Sequence, residues 1–265
     1  KDEFKKFCVD NSYWLEDFCL FSALKNHFGG RSWSEWPEDI KRRNAVHHYT
    51  DSLREYLERE KYFQFVLFYQ WKELQKYCRN KGIRVFGDVS LYVNHDSADV
   101  WAHPELFKLD QELNPVVVAG VPPDYFSETG QRWGNPIFAW NFLRKNNFVW
   151  WIERMKHNLD LFDLVRIDHF RGFLAAWEIP VNDSTAVNGQ WQECPGVEFF
   201  SVLLNEFKSI PVVAEDLGVI TQDVRDAMAR FGFPGMKLLI FAFDGDILQN
   251  PYAPENHVKN CVLYT

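Results

Sequence analysis

Val165-Arg166-Ile167-Asp168-His169-Phe170-Arg171-Gly172 sets an acidic residue at the end of a short apolar run, and Val212-Val213-Ala214-Glu215-Asp216-Leu217-Gly218 repeats the arrangement farther along the chain. Each reads as a buried strand entering a loop, and ligands meet parallel α/β sheets at the loops beyond the strand ends. Arg166 lies one strand period before Asp168, so both side chains point to the same side and the guanidinium can hold that carboxylate ionised. The apolar run before Glu215 supplies the desolvation that raises a carboxyl pKa and keeps it a proton donor. One ionised and one protonated carboxyl, about 5–5.5 Å apart, is what retaining attack on a glycosidic bond requires. The simpler reading makes each acid a helix cap, or an ion-pair partner of Arg166 or Lys237.

Outward from these segments, strand and helix signals alternate. Strands are expected at 83–89, 164–168, 210–215, 236–243 and 260–265. Amphipathic helices are expected at about 51–80, 148–159, 197–207 and 221–230, the last capped by Thr221 and stopped by Gly232. The long helix carries Phe63, Val66, Leu67, Gln70, Trp71, Leu74, Tyr77 and Cys78 as its expected core stripe. Residues 1–45 read as helical and aromatic-rich, and 94–141 as a long loop region. The connections are too long for hairpins, which predicts a parallel sheet with crossover helices. Five strands fall short of the eight of a (β/α)8 barrel, and by pattern alone a doubly wound open sheet is the alternative.

The 265 residues read as one domain without repeat, low-complexity tract or linker. A net charge of −8 argues against nucleic acid or an anionic membrane surface as partner and is compatible with a neutral ligand such as a sugar. No apolar stretch approaches the length of a membrane helix. Eleven Trp, ten Tyr and twenty-four Phe are mostly core, while loop aromatics such as Trp101, Tyr125 and Trp133 are candidates to stack on sugar rings. The five scattered cysteines fit reduced thiols and a cytoplasmic setting. No Gly-x-Gly-x-x-Gly follows a strand, and Gly232-Phe233-Pro234-Gly235-Met236-Lys237 lacks phosphate-loop spacing. His47-His48 and Asp244-Gly245-Asp246 lack the further ligands of a metal site, so neither metal nor cofactor is expected.

Arg166-Ile-Asp168-His169-Phe-Arg-Gly172 and Ala214-Glu215-Asp216-Leu-Gly218 resemble the nucleophile and acid/base motifs of the amylomaltases, or 4-α-glucanotransferases, of the α-amylase clan. The resemblance extends through Trp14-Leu-Glu-Asp17, Gly87-Asp88-Val89, Asp96-Ser-Ala-Asp-Val-Trp101, Gly120-Val-Pro-Pro-Asp-Tyr-Phe126 and Gly130-Gln-Arg-Trp-Gly-Asn-Pro136. It implies a (β/α)8 catalytic barrel, here about strands three to seven, with a helical insertion-like region at 1–50 and an active-site loop region at 94–141. It implies transfer of α-1,4-glucan segments between malto-oligosaccharides by retaining double displacement, with Asp168 as nucleophile and Glu215 as acid/base. Arg166, His169, Asp96, Asp124, Tyr125, Phe126, Gln131 and Trp133 are the implied substrate contacts. From the residues alone His169 is a core histidine and Asp124 a turn residue. In the family the last strand continues into Gly-Thr-His-Asp with a third carboxylate, so the chain reads as an internal catalytic fragment, inactive alone. An α-amylase-like hydrolase and a non-catalytic glucan-binding fragment are the alternatives. Oligomeric state has no signal in the sequence.

Overall fold

The computed structural model describes residues 2–125, 127–243 and 248–264. Phe126 and the Asp244-Gly245-Asp246 stretch fall outside them. Among the described residues the strands are β1 (Phe86–Val89), β2 (Val117–Val121), β3 (Gln131–Pro136), β4 (Leu164–Ile167), β5 (Ala175–Pro180), β6 (Gln190–Glu193), β7 (Val212–Ala214), β8 (Gly235–Leu238) and β9 (Cys261–Tyr264). The chain forms two compact units: Lys1–Lys81 with Tyr92–Phe142 and Glu178–Gly189, and Gly82–Leu91 with Leu143–Trp177 and Gln190–Thr265.

The second unit contains the expected parallel strands. β1, β4 and β7 are hydrogen-bonded side by side and parallel, with Asp88 opposite Arg166 and Ile167 opposite Ala214. β8 and β9 form a second parallel pair, and the Ala214 N–H donates to the Pro234 carbonyl (2.8 Å) where β7 approaches β8. Helices Val149–Leu161, Gly196–Phe207 and Gln222–Phe231 supply crossovers. Among the described residues these parallel strands follow chain order without reversal, so they show no topological switch point of the kind a doubly wound sheet requires. It is an arc of a (β/α) barrel, and among the described residues the arc does not close.

Burial of large aromatics holds the arc together. Phe173 stacks on Phe199 (centroids 5.3 Å apart, 9° between planes) and Phe170 on Phe200 (5.1 Å), with Trp151 and Phe148 buried against Phe199. Pairs of this geometry add about 0.5–1.5 kcal/mol each beyond area burial.

Two strand expectations need correction here. The 236–243 run is β8 only as far as Leu238 and then tightens into a 3-10 helix, Leu239–Phe243; the 83–89 run pairs only from Phe86. Apolar residues continue past the last ladder bond in both, and apolarity alone does not end a strand.

In the first unit, helices Asp2–Asp10, Ser12–His27 and Arg54–Asn80 pack through aromatic side chains: Phe4 and Phe7 meet Phe65, and Trp14 stacks on Phe68 (5.6 Å, 25°). The expected core stripe of the long helix is therefore only partly right. Of its members Val66, Trp71 and Cys78 are half-buried, while Phe63, Leu67, Gln70, Leu74 and Tyr77 are exposed; Phe65 and Phe68, outside the stripe, are half-buried and Gln75 is buried. The helix is apolar on more than one face, and the aromatic residues Phe4, Phe7 and Trp14 decide which face is covered. Residues 94–141 are likewise more ordered than a loop. They contain helix Ala98–Ala102 and the antiparallel pair β2–β3, where a Cβ on Gly120 would overlap the Gln131 carbonyl oxygen. Trp101 is core and not a sugar platform: it is buried, its indole N–H donates to the Ile40 carbonyl, and Arg43 lies 4.6 Å over its ring.

Candidate active site

The β1–β4 register explains the first half of the site. Cα pairing of Asp88 with Arg166 puts both side chains on the same face of a parallel ladder, and Asp168 follows on that face one strand period later. Arg166 accordingly binds Asp88 through two bonds, Nε to Oδ1 (3.0 Å) and Nη2 to Oδ2 (2.8 Å), and reaches Asp168 Oδ1 through Nη2 at 2.8 Å. The guanidinium is thus shared between two carboxylates, with its bidentate fork spent on Asp88. Burial raises the Asp168 carboxyl above its ordinary range, Arg166 pulls it down, Asp88 pushes it up, and the net direction is upward. The simple expectation that Arg166 holds Asp168 fully ionised is moderated, because Asp88 claims most of the cation.

Glu215 follows β7, beside Asp168. Its own N–H donates to the Ile167 carbonyl (3.0 Å), while the Asp168 N–H donates to Val89 (3.0 Å), so both acids are fixed by ladder-type bonds to the adjacent strand. The Glu215 carboxyl accepts two backbone N–H bonds, from His169 to Oε2 (2.9 Å) and from Leu217 to Oε1 (2.7 Å). Burial, the largest influence, raises its pKa; those two N–H bonds lower it, the Asp168 charge raises it, and the balance is upward. A carboxyl poised above its ordinary range and held rigidly by the main chain has the character of a general acid/base.

His169 occupies the left-handed region (φ 50°, ψ 51°) between β4 and the 3-10 turn Phe170–Phe173. Burial pushes its imidazole pKa down to about 4, so the ring is neutral near neutral pH. Among residues the sequence reading passed over, Asp88 is the clearest, and its signal was the acid in Gly87-Asp88-Val89 at the end of a strand. Arg171 is another: it donates to the Val219 carbonyl and lies 3.9 Å over the Trp191 ring, tying the turn after β4 to the loop after β7.

The remaining expected contacts belong to the first unit. Asp124 closes a turn with Ser127, accepting its N–H at Oδ1 (2.9 Å) and donating its own N–H to the Ser127 carbonyl (3.0 Å). Tyr125 is 88% exposed at the tip of that turn. Trp133 is exposed, and its indole N–H donates to Gln131 Oε1 (3.1 Å), so these two polar-aromatic neighbours on β3 act as one surface. Asp96 is already engaged, by the Lys25 ammonium and the Trp33 N–H (3.3 Å). Ser97 caps helix Ala98–Ala102 by accepting the Val100 N–H. No group of three or more His, Cys, Asp or Glu among the described residues is placed to hold a metal ion.

A family model described as 4-alpha-glucanotransferase matches residues 1–265. A 4-alpha-glucanotransferase of Clostridium butyricum is 46% identical over 267 residues, covering 100% of this chain and 55% of the relative. One from Thermus thermophilus is 48% identical, covering 100% of this chain and 54% of the relative. Among solved structures, an amylomaltase from Streptococcus agalactiae in complex with acarbose superposes with a TM-score of 0.94 at 39% identity, covering 98% of this chain and 53% of that one. The chain spans about half the length of the curated relatives it matches.

Proposed function

The chain belongs to the 4-α-glucanotransferase family, and from that membership we propose that its protein transfers α-1,4-glucan segments between malto-oligosaccharides. Asp168 is the nucleophile and Glu215 the acid/base. The observation that carries this assignment is the pairing of two carboxyls on adjacent strand ends, one bound to Arg166 and the other held by two backbone N–H groups.

In the first half-reaction an Asp168 carboxylate oxygen attacks the anomeric carbon. The C1–O4 bond breaks as Glu215 gives its proton to the leaving oxygen, and a glycosyl ester of Asp168 remains. In the second, Glu215, now ionised, takes the proton of an acceptor hydroxyl as that oxygen displaces Asp168. Retention follows from the two inversions. The same residue must give and then take a proton, so its pKa has to lie within reach of the working pH from both sides. Opposed influences on Glu215, burial upward and two N–H bonds downward, suit that demand.

Arg166 orients the nucleophile. His169, Asp96, Asp124, Tyr125, Phe126, Gln131 and Trp133 are the proposed sugar contacts, the exposed Tyr125 and Trp133 rings by stacking. The family match over the whole chain supports reading both units as parts of one catalytic domain. The five cysteines, none of them in a disulfide, support a cytoplasmic setting, and no helix of the described residues is long and apolar enough to cross a membrane. The test is incubation of the full-length protein with maltotriose. Redistribution into glucose and longer oligosaccharides supports transfer; release of shorter sugars alone means water is the acceptor, and binding without turnover means the site is not catalytic.

A further inference from the structure

We propose that His169 is a positioning residue that serves the acid/base through its main chain: its N–H binds Glu215 and so couples nucleophile and acid across one peptide bond, and its left-handed backbone makes the turn that holds the arrangement. This rests on the assignment of Glu215 above.

The geometry follows from the core upward. Phe170 and Phe173 are buried in the aromatic cluster with Phe199 and Phe200, so the chain must turn inward immediately after Asp168. The turn closes with the Gly172 N–H donating to the His169 carbonyl (2.9 Å), and it leaves His169 at φ 50°. Along β4 the Val165 N–H donates toward β7, to Pro211, and the Asp168 N–H toward β1, to Val89, so the His169 N–H faces β7 by the strand's own alternation; there it meets Glu215 Oε2 at 2.9 Å, and the left-handed turn at His169 redirects the amide that follows. The next residue, Phe170, donates its N–H to the Glu215 main-chain carbonyl (3.3 Å). Two consecutive amides after the nucleophile therefore grip both ends of the acid. Left-handed backbone is disfavoured for side chains bearing a Cβ, and most of all for β-branched ones; Gly and Asn adopt it readily and His is tolerated.

The ring does a different job. A Cβ placed on Gly172 would lie 2.8 Å from His169 Cδ2, so the imidazole packs against the turn. That packing accounts for a neutral ring.

In chemical terms the His169 N–H stabilises the ionised form of Glu215, the form needed to deprotonate the acceptor. Without it the acid form is favoured further, and the alkaline limb of activity, set by loss of the acid's proton, moves to higher pH. The lost bond to a charged group also slows turnover by about 10- to 100-fold.

The experiment uses the full-length protein and reads kcat/KM for maltotriose against pH, with thermal melts to confirm folding. His169→Asn and His169→Gly keep the left-handed backbone and should keep the alkaline limb in place; His169→Val should move it upward and lower kcat. Replacing His169 by its α-hydroxy acid keeps the ring and the turn but substitutes an ester oxygen for the N–H, and should move the limb as Val does. An unchanged profile in the ester protein overturns the proposal, as does an alkaline limb that moves as far in the Asn and Gly variants as in Val. Glu215→Gln is the separate control: if it retains transfer, the catalytic assignment fails regardless of His169.

Discussion

Replacing Arg166 with Gln removes the one cation shared by two carboxylates, and its consequence can be worked from the geometry. Asp168 loses a single charge-assisted bond of 2.8 Å. Such bonds contribute about 1.5–3 kcal/mol when well shielded. The Asp168 side chain is 40% exposed, so screening reduces this to about 1 kcal/mol, or about fivefold in the balance between ionised and protonated forms. Asp88 loses both arms of its bidentate partner and is left facing Asp168 as an uncompensated like charge, which acts in the same direction. Asp168 therefore becomes harder to ionise, and the acidic limb of kcat/KM moves to higher pH. Loss of orientation costs more than loss of charge: a displaced nucleophile is expected to slow turnover by about 10²-fold at neutral pH. The assay is the pH profile of maltotriose disproportionation for R166Q, D88N and the double variant. D88N removes the repulsion, so the double variant should have its acidic limb below that of R166Q while kcat stays low. An acidic limb that does not move in R166Q, or moves downward, would refute the argument that Arg166 tunes Asp168.

Asp168→Asn should abolish transfer and slightly stabilise the fold. The folded-state pKa of Asp168 is raised, so its favourable contribution is full below the unfolded value and is lost as pH rises through the folded value. At pH 7 the wild type carries that penalty and the Asn protein does not, so its Tm should be about 1–3 °C higher, with the difference gone near pH 3. Trp133→Ala should raise KM for maltotriose by about 5- to 10-fold with little change in kcat, since one stacking face is lost; unchanged kinetics would leave Trp133 a surface residue. His103, whose pKa is raised chiefly by Glu105 and also by Asp17, should stabilise the first unit below pH about 6.5. Against His103→Gln the wild type should lead by less than about 1 kcal/mol at pH 6, and that lead should vanish as pH rises through the folded-state pKa. An advantage that grows toward pH 9 would contradict this.

The parallel strands and their crossover helices were legible because each couples a short apolar run to an amphipathic period, and both signals are local. Asp168, Arg166 and Glu215 were legible for the same reason: acids at strand ends, with an Arg one period earlier, are patterns of adjacent residues. Thr221 and Gly232 marked the ends of helix Gln222–Phe231 correctly, although the Thr221 side chain makes no cap bond.

What escaped depends on partners distant in sequence. The packed face of helix Arg54–Asn80 was partly misread because that helix is apolar on more than one side, and the distant aromatics Phe4, Phe7 and Trp14 determine which side is covered. β2 and β3 were hidden in an apparent loop because antiparallel pairing rests on cross-strand contacts, which Pro- and Gly-rich sequence does not advertise. Asp88 was visible as an acid but not as the principal partner of Arg166, which is a matter of register between β1 and β4. The sequence by itself determined the order of the parallel strands with their crossover helices and marked the two strand-end acids proposed to react, since both are written in residue type and period. Tertiary structure alone decided how that pair is tuned: register assigns most of Arg166 to Asp88, and pairing of β4 beside β7 brings the His169 N–H to Glu215.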